Sequence, residues 1–432
     1  MEFIPIIVLV LSFIILLSIS VPIAWSISIS SLLTILVSVP MLSALTTVSQ
    51  RIATGLDSFA LLAVPLFILS GQIMNSGGIA TRLISFAKTI VGFLPGGLAL
   101  INIISAMLMG SISGSAMASA SAMGSILGPE MEKEGYSKNF GVAVNISSAT
   151  TGLIIPPSNV LIVYSLASGG VSVGALFLAG YIPGILTGLF LMLVAIFWSK
   201  KNNYKVGRKS SLFEMLSSFI DAIPSLFLLI IVIGGIISGI FTATEASAIA
   251  VIYSIILGFL YKELSFEKLP KVFLQSIETT SIVLLLIGAS MCMSWVMSFE
   301  NIPQDISSLL IGLSDSKIII LLIINIILLF VGIFMDITPA VLIFTPIFLP
   351  VVTSIGIDPV HFGIILVMNL CVGLCTPPVG SILFVGVSVA KTNIVNVIQP
   401  LIPFFLAMII SLFLVTYIPF LTMYLPSLFD FY

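Results

Sequence analysis

Charged side chains are scarce in this chain of 432 residues. Asp, Glu, Lys and Arg together make up 7% of the sequence, whereas hydrophobic residues make up 59%. Soluble domains carry about a quarter of their residues as charges, so this composition excludes a soluble protein and predicts a membrane protein. The longest polar interval, residues 199–218, leaves no room for a separate soluble domain.

Histidine and cysteine are also scarce, which limits the chemistry that the chain can perform. The single histidine, His361, stands at a predicted helix start, where we expect no catalytic role. Cys292, Cys371 and Cys375 lie in apolar segments without acidic or histidine partners nearby, so packing is favoured over a metal or redox pair. An intramembrane hydrolase or lipid transferase needs a His/Asp/Glu cluster or a basic patch at membrane depth. The sequence therefore predicts no enzyme and no cofactor.

Long apolar stretches recur along the whole chain. The N-terminus lacks the basic flank and cleavage site of a signal peptide, and residues 3–39 predict two membrane helices hinged at Pro22. The predicted spans are 4–20, 22–39, 58–75, 139–167, 174–198, 219–239, 242–262, 275–298, 359–388 and 397–420.

One pattern is written twice in the chain, 221 residues apart. Gly152-Leu-Ile-Ile-Pro-Pro157 interrupts one predicted helix, and Gly373-Leu-Cys-Thr-Pro-Pro378 interrupts another. Upstream of each copy an apolar region, 95–128 or 318–350, breaks at a polar tip and predicts a re-entrant hairpin. Paired interruptions at matching places are the best sequence pointer to a transport site.

Lysine and arginine predict the orientation of the chain in the membrane. With the N-terminus outside, only Arg51 and Lys317 fall outside. The basic residues on the inside are then Arg82, Lys88, Lys133, Lys138, Lys200, Lys201, Lys205, Arg208, Lys209, Lys262, Lys268, Lys271 and Lys391. This bias predicts that both termini are periplasmic.

The spans and hairpins predict the fold class. Five spans and one hairpin stand on each side of the basic loop 199–218, and an odd number of spans inverts the second half. Segments 78–92 and 300–314 are amphipathic and predict arms along the membrane interface. We therefore expect an all-α polytopic membrane protein of about 10–11 transmembrane helices in two inverted repeats, with the hairpin tips meeting near the midplane.

The interrupted helices predict a site for a small cation beside an organic anion. Prolines free backbone carbonyls, which together with hydroxyl groups suit an alkali cation, and helix N-termini suit a carboxylate. This chemistry favours sodium as the only metal. The sodium-binding candidates are Ser111, Ser113, Gly114, Ser115, Gly152, Pro156, Gly332, Asp336, Thr338, Gly373, Thr376 and Pro377. The substrate-binding candidates are Ser115, Asn145, Thr151, Ser158, Asn159, Asn369 and Ser381.

Several of these polar residues have alternative explanations. Asp336 is an intramembrane acid and hence a functional candidate, but it also fits as a helix N-cap, and the two roles are compatible. Glu245 fits better as a capping residue, and a proton-coupling role for Glu278 is open. Small-residue packing explains a further group. That group is Ser119, Ser121 and Ser125.

Five motifs together resemble one known family. They are Gly110-Ser-Ile-Ser-Gly-Ser-Ala116, Gly152-Leu-Ile-Ile-Pro-Pro-Ser158, Phe177-Leu-Ala-Gly-Tyr-Ile-Pro-Gly184, Thr242-Ala-Thr-Glu245 and Cys375-Thr-Pro-Pro-Val-Gly380. In this order they are similar to the large membrane subunit (the M subunit, DctM-like) of the tripartite ATP-independent periplasmic (TRAP) transporters, in the ion transporter superfamily. The likeness covers essentially the whole chain.

The resemblance implies sodium-driven uptake of an organic acid across the bacterial inner membrane by an elevator mechanism. It implies as partners a periplasmic substrate-binding protein and a separate small membrane subunit of about four helices. Family substrates include C4-dicarboxylates and sialic acid, and the hydroxyl-rich first half favours sialic acid. Two alternatives stay open: a channel, and a proton-coupled organic anion carrier without a binding protein, in which Asp336 or Glu278 titrates.

The elevator mechanism implies a fixed scaffold and a mobile transport domain. We expect scaffold helices and an arm in 1–94, the first hairpin and broken helix in 95–167, a scaffold helix and cytoplasmic loop in 168–218, scaffold helices and an arm in 219–317, the second hairpin and broken helix in 318–390, and a C-terminal scaffold helix in 391–432.

Overall fold

Helices make up every regular element in the part of the chain that the computed structural model describes, residues 4–314, 316–429 and 431. A 3₁₀ turn at Phe59–Leu62 leads into α4. The helices are α1 (Ile4–Ser18), α2 (Ile23–Ser38), α3 (Met41–Gly55), α4 (Ala63–Ser76), α5 (Ile79–Val91), α6 (Gly97–Ser113), α7 (Ala116–Lys133), α8 (Lys138–Ala149), α9 (Thr151–Ile154), α10 (Asn159–Ala167), α11 (Val173–Lys201), α12 (Leu212–Ile237), α13 (Ala243–Leu260), α14 (Leu269–Phe299), α15 (Ile302–Leu313), α16 (Lys317–Phe334), α17 (Ile337–Ser354), α18 (Pro359–Gly373), α19 (Ser381–Ala390), α20 (Ile394–Tyr417) and α21 (Phe420–Leu428).

The expected all-α membrane architecture is confirmed, and each predicted span coincides with a helix or a helix pair. Within the described residues, eight helices are long and apolar enough to cross a membrane, and the bent pair α8–α9 with α10 makes a ninth. The amphipathic arms correspond to α5 and α15.

Helix α3 has no counterpart among the predicted spans. Its hydroxyl and amide side chains, together with Arg51, lower its apolar content below that of a membrane helix. The helix packs against α2 and α14, and the guanidinium of Arg51 lies 4.7 Å from the ring centroid of Trp295. Such a cation–π contact accounts for a basic residue at the end of an otherwise uncharged helix.

Two helical hairpins turn at the polar tips, and in each of them a side-chain N-cap begins the second helix. Hairpin 1 (α6–α7) turns at Gly114, whose φ of 61° favours glycine, and at Ser115. The Ser115 hydroxyl accepts a hydrogen bond from the Ala118 amide at 3.3 Å and so caps α7. Hairpin 2 (α16–α17) turns at Asp336, whose carboxylate accepts a hydrogen bond from the Ile337 amide at 2.9 Å and caps α17.

Two helices break where the sequence places its proline pairs. The first broken helix comprises α8, α9 and α10, which bend by 49° around residues 155–158. The second comprises α18 and α19, separated by residues 374–380. Proline removes a backbone donor and clashes with the preceding turn, which ends each first segment at this place. At the first break, the Ser158 hydroxyl donates to the freed Leu153 carbonyl at 2.5 Å.

Each hairpin crosses its broken helix at a glycine pair. In the first half Gly110 of α6 meets Gly152 of α9 so closely that a Cβ on either residue would overlap the backbone of the other. In the second half Gly332 of α16 meets Gly373 of α18 in the same way. A Cβ on Gly332 would lie 3.0 Å from the Gly373 Cα. The glycine pairs allow each hairpin to approach its broken helix closely, and this close approach places each hairpin tip beside the break of that helix.

The helices divide by their packing into two groups. The frame comprises α1–α4 and α12–α14, since α13 packs on α4 and α14 packs on α2, α3 and α4. The inner bundle comprises the hairpins, the broken helices, α11 and α20, since α11 packs on α6, α9, α18 and α20. Arm α5 connects the two groups by packing against both α12 and α6.

Candidate functional site

A central cavity of about 640 Å³ lies where both tips and both breaks meet the frame helices α4 and α14. Its wall combines small polar side chains with Ala, Val, Leu and Ile. The polar and glycine residues that line it are Gly71, Gln72, Asn75, Ser113, Gly114, Ser115, Asn159, Glu278, Thr279, Asp336, Thr338 and Ser381.

The first-half wall is built by close backbone approaches. Gly114 at the tip lies against the Asn159 side chain, which begins α10 just after the break, and a Cβ there would be 2.7 Å from Nδ2. On the opposite side, a Cβ on Gly71 of α4 would be 2.8 Å from the Ser113 carbonyl oxygen. The tip is therefore held between a broken helix and the frame, and its residues Ser113, Gly114 and Ser115 line the cavity.

The second-half wall centres on Asp336, which caps α17 and also lines the cavity. Both explanations of this acid are thus compatible with its position. Ser381, the first residue of α19, lies beside the Asp336 carboxylate, and its buried hydroxyl lacks a hydrogen bond of regular geometry. A carboxylate with an adjacent hydroxyl provides oxygen ligands of the kind that hard cations prefer.

In the described part of the chain, the cavity wall contains acidic but no basic side chains. Asp336 projects from hairpin 2 and Glu278 projects from frame helix α14, and no Lys or Arg is among the lining residues. An anionic substrate therefore finds no basic side chain in this wall, and a bound cation would have to balance its charge. Among the described residues, no group of three or more His, Cys, Asp and Glu side chains forms a site for a transition metal.

Of the predicted site residues, seven line the cavity: Ser113, Gly114, Ser115, Asn159, Asp336, Thr338 and Ser381. Gly152, Gly332 and Gly373 lie at the glycine crossings. Four other candidates have hydroxyls that donate to carbonyls within their own broken helix or hairpin leg, outside the cavity wall. These are Ser111, Thr151, Ser158 and Thr376, which donate to Leu108, Ser148, Leu153 and Val372. Pro156 and Pro377 form the breaks themselves and do not line the cavity.

Two of the three asparagine candidates for substrate binding, Asn145 and Asn369, lie away from the cavity. The Asn145 amide group donates to the Ala120 carbonyl of hairpin 1 at 2.7 Å. The Asn369 amide group donates to Asn325 Oδ1 of hairpin 2 at 2.5 Å, and Asn325 in turn donates to Thr416 Oγ1 at 3.3 Å. The sequence shows how many polar side chains each span carries, but it does not show which neighbouring helix they contact. Asn145 and Asn369 contact packed helices.

His361 belongs to the same buried polar network. Its Nδ1 lies 2.7 Å from the Thr422 hydroxyl, and its Nε2 lies 3.3 Å from the Thr416 carbonyl oxygen. The histidine thereby connects α18 with α20 and α21. Both ring nitrogens are engaged in these hydrogen-bond contacts.

Replacing Asn369 with Ala tests whether this residue is structural. The change leaves Asn325 Oδ1 buried without its donor, which costs about 1–3 kcal/mol of stability. We expect a lower melting temperature in detergent and an unchanged half-saturating substrate concentration for the protein that remains folded. A raised half-saturating concentration with unchanged melting would instead place Asn369 at the substrate.

On the frame side of the cavity, the sequence had indicated only Glu278. Gln72 and Asn75 stand three apart on α4 and therefore share one face of a mainly apolar helix, a signal that was readable from the sequence. Thr279 follows Glu278 on α14 and carried no such signal. The buried Asn75 Oδ1 has no hydrogen-bond partner, so this wall retains an unused acceptor.

Two lesser interpretations agree with the structure. Cys371 and Cys375 are buried and lie 3.7 Å and 3.5 Å from the carbonyl oxygens of Thr150 and Ile146, so their thiols pack between the two broken helices. Glu245 completes a capping box, because its carboxylate accepts the Thr242 amide at 2.8 Å.

The fold and the site define a multi-pass helical membrane protein with two hairpin-and-broken-helix repeats around one central cavity. The chain belongs to the family of the tripartite ATP-independent periplasmic transporter, DctM component, whose model matches residues 10–421.

Curated relatives span most of the chain. It is 57% identical over 98% of both sequences to the uncharacterized protein YgiK of Salmonella typhimurium. It is 40% identical to the C4-dicarboxylate TRAP transporter large permease protein DctM of Pseudomonas aeruginosa, covering 93% of this chain and 94% of the relative. It is 39% identical to the isethionate TRAP transporter permease protein DctMQ of Oleidesulfovibrio alaskensis, covering 94% of this chain and 64% of that one.

One solved structure has a similar fold. The YdaH transporter of Alcanivorax borkumensis aligns with a TM-score of 0.65 and 13% identity, covering 88% of this chain and 89% of YdaH. At this identity the likeness concerns the fold alone. The characterised relatives are named as permeases, not as enzymes.

Proposed function

We propose that the chain carries a small organic acid across the bacterial inner membrane by sodium-coupled secondary transport. The observation that carries the proposal is the central cavity, where two tips and two helix breaks supply hydroxyls, carbonyls and one carboxylate but no Lys or Arg. An organic anion can enter such a site only with compensating cations. This requirement couples the two solutes.

The chemistry of the wall favours sodium as the compensating cation. Hard alkali cations are bound by oxygen ligands, and the tips offer Ser113, Ser115 and Thr338 in addition to Asp336. The capped N-termini of α7 and α17 contribute positive dipole ends for the substrate carboxylate. We assign sodium mainly to the tip hydroxyls and the Asp336 carboxylate, and the anion mainly to the helix N-termini together with Asn159 and Ser381.

We leave the substrate at the level of a small organic anion. The relatives are named for isethionate, a sulfonate, and for C4-dicarboxylates, so the shared feature is an anionic group on a short carbon chain. The hydroxyl-rich first tip still favours a polyhydroxylated acid such as sialic acid. A sialic acid large permease of Vibrio cholerae is 36% identical to this chain.

We propose an elevator mechanism in which the frame stays fixed and the inner bundle moves. The packing of α11 and α20 on the hairpins and broken helices supports assigning them to the moving part, in place of the scaffold role that the sequence favoured. Arms α5 and α15 then connect moving and fixed parts. Glu278 and Asn75, near the predicted cytoplasmic ends of their helices, line the cavity, which supports an inward-facing state.

We propose a small membrane subunit and a periplasmic binding protein as partners. The chain belongs to a family described as one component of a tripartite transporter, which supports two further components. The distribution of basic residues supports periplasmic termini.

Uptake into proteoliposomes tests the proposal. Vesicles contain the chain with its small subunit, and candidate acids are presented on the binding protein with an inward sodium gradient. We expect uptake that requires both sodium and the binding protein. Uptake that is indifferent to sodium and driven by a proton gradient would instead support the second candidate, a proton-coupled carrier, for which Asp336 and Glu278 in one cavity are the favouring observation.

Ser115→Ala tests the first tip. The loss of one cavity hydroxyl, worth about 1 kcal/mol, should raise the sodium concentration for half-maximal uptake about fivefold. Ser172→Ala is the matched control, because Ser172 caps α11 in the same way outside the cavity. Thr376→Ala should have a smaller effect than Ser115→Ala, since its hydroxyl already donates to Val372. An unchanged sodium dependence in both variants would remove these side chains from the cation sites.

A further inference from the structure

A second cavity, of about 650 Å³, lies at the basic end of the molecule, away from the tips. It is enclosed by arm α5, the open end of hairpin 1 and the loop of residues 202–211 between α11 and α12. The charged residues that line it are Lys88, Glu130, Glu134, Lys205, Arg208, Lys209 and Glu214. None of them takes part in the central cavity.

We propose that this cavity binds the headgroup of an anionic phospholipid, a phosphodiester that also carries hydrogen-bond donors. The ligand chemistry that fits is that of phosphatidylglycerol.

The charges of the wall match one phosphodiester. Lys88 is paired with Glu130 at 2.9 Å, and the Glu214 carboxylate accepts the Ser211 amide at 2.7 Å in a capping box. Arg208 has no ion pair or hydrogen bond among the described residues, and Lys209 makes only a 5.9 Å contact with the Phe93 ring. The lining carries four cations and three carboxylates, and this excess of one positive charge balances the single negative charge of a phosphodiester.

The carboxylates of the cavity wall favour a headgroup that carries hydrogen-bond donors. Glu134 makes no salt bridge in the described part of the chain and faces the same cavity as Arg208. A headgroup with hydroxyls, such as glycerol, can donate to this carboxylate while its phosphate contacts Arg208 and Lys205. A choline headgroup offers no donor and is excluded on this ground.

The surroundings of the cavity place it at the lipid headgroup level. Directly after the loop, Leu212 and Phe213 at the start of α12 are each 81% exposed. Exposed apolar side chains next to lysine and arginine are the pattern of a segment at the boundary between headgroups and acyl chains. Acyl chains can therefore cover these side chains while the headgroup enters the cavity.

The loop of residues 202–211 is fixed against the neighbouring elements by specific contacts. The Tyr204 hydroxyl accepts the Ser137 amide at 3.2 Å, and its ring lies 4.3 Å from the Tyr136 ring. Gly207 lies directly on the Gly92 carbonyl at the end of arm α5, leaving no room for a Cβ. A bound headgroup would thus contact the arm, the hairpin and the loop together, and we expect it to stabilise their arrangement.

A binding titration tests the site independently of transport. The purified full chain in a neutral detergent is titrated with short-chain phosphatidylglycerol, with short-chain phosphatidylcholine, and with inorganic phosphate at constant ionic strength. The melting temperature is the readout. We expect a saturable rise with phosphatidylglycerol only. An equal rise with phosphatidylcholine, or with inorganic phosphate at similar concentrations, would overturn the proposal.

Paired variants separate a built site from general charge attraction. Arg208→Gln with Lys205→Gln should raise the half-saturating phosphatidylglycerol concentration about tenfold or more, because the two charge-assisted contacts to the phosphate are lost. Lys200→Gln with Lys201→Gln removes the same charge just before the same loop, outside the cavity, and should leave this concentration unchanged. Equal effects of both pairs would contradict the proposal. Sodium-dependent uptake is not part of either readout, so this test stands whether or not the transport proposal does.

Discussion

Gly152→Ala is expected to reduce uptake about tenfold or more and to lower the melting temperature of the chain. The new Cβ would overlap the backbone of Gly110, and backbone atoms cannot rotate out of the way as a flexible side chain can. Overpacking in a closely packed interior costs about 1–3 kcal/mol, and here the strain displaces hairpin 1 from its break. Uptake in proteoliposomes and thermal melting in detergent measure the two effects.

Gly128→Ala is the matched control for this prediction. Gly128 lies in α7 of the same hairpin, and a Cβ there meets no atom within 4 Å. Alanine is favoured over glycine inside a helix by about 1 kcal/mol, so we expect equal or slightly higher stability and normal uptake. Normal uptake by Gly152→Ala would show that the crossing does not position the tip.

The second half offers the same test at a matching place. Gly373→Ala introduces a Cβ into the backbone of Gly332 and should resemble Gly152→Ala in both readouts. A large effect in one half and none in the other would mean that the two repeats contribute unequally to the cavity.

Asp336→Asn is expected to raise the half-saturating sodium concentration about tenfold to a hundredfold. Asn remains a good N-cap and keeps the start of α17, so the variant removes the charge without removing the cap. Hydrogen bonds and contacts to charged groups are worth about 1.5–3 kcal/mol, which sets the size of the expected change. Sodium titrations of uptake at saturating substrate measure it.

Asp358→Asn provides the control for Asp336→Asn. Asp358 caps α18 by accepting the Val360 amide at 2.7 Å, and it does not line the central cavity. We expect an unchanged sodium requirement for this variant. If both variants changed sodium dependence alike, the effect would come from helix capping and not from a cation ligand.

The architecture followed from the sequence because its signals are local. Apolar length, the proline pairs and the matched glycines each act within a few residues, and they located the spans, the hairpins and the breaks. Helix α3 was not predicted for the same reason, since its own residues are polar and its position in the fold comes from packing on α2 and α14.

The composition of the site was harder to predict, because it depends on which helices face each other. Ser115 and Asp336 stand at tips and line the cavity, whereas Asn145 and Asn369 serve hydrogen bonds between packed helices. The frame wall of Gln72 and Asn75 comes from a part of the chain far from either repeat motif. Only a three-dimensional arrangement brings these residues to the tips.

Melting of the purified chain in sodium chloride and in potassium chloride, at equal ionic strength, tests the cation site most directly. A ligand that binds only the folded state at a hundred times its dissociation constant adds about 2.7 kcal/mol of stability. We expect a concentration-dependent rise of the melting temperature with sodium, little with potassium, and loss of the difference in Asp336→Asn. Equal melting in both salts across the titration would contradict sodium binding at the paired tips.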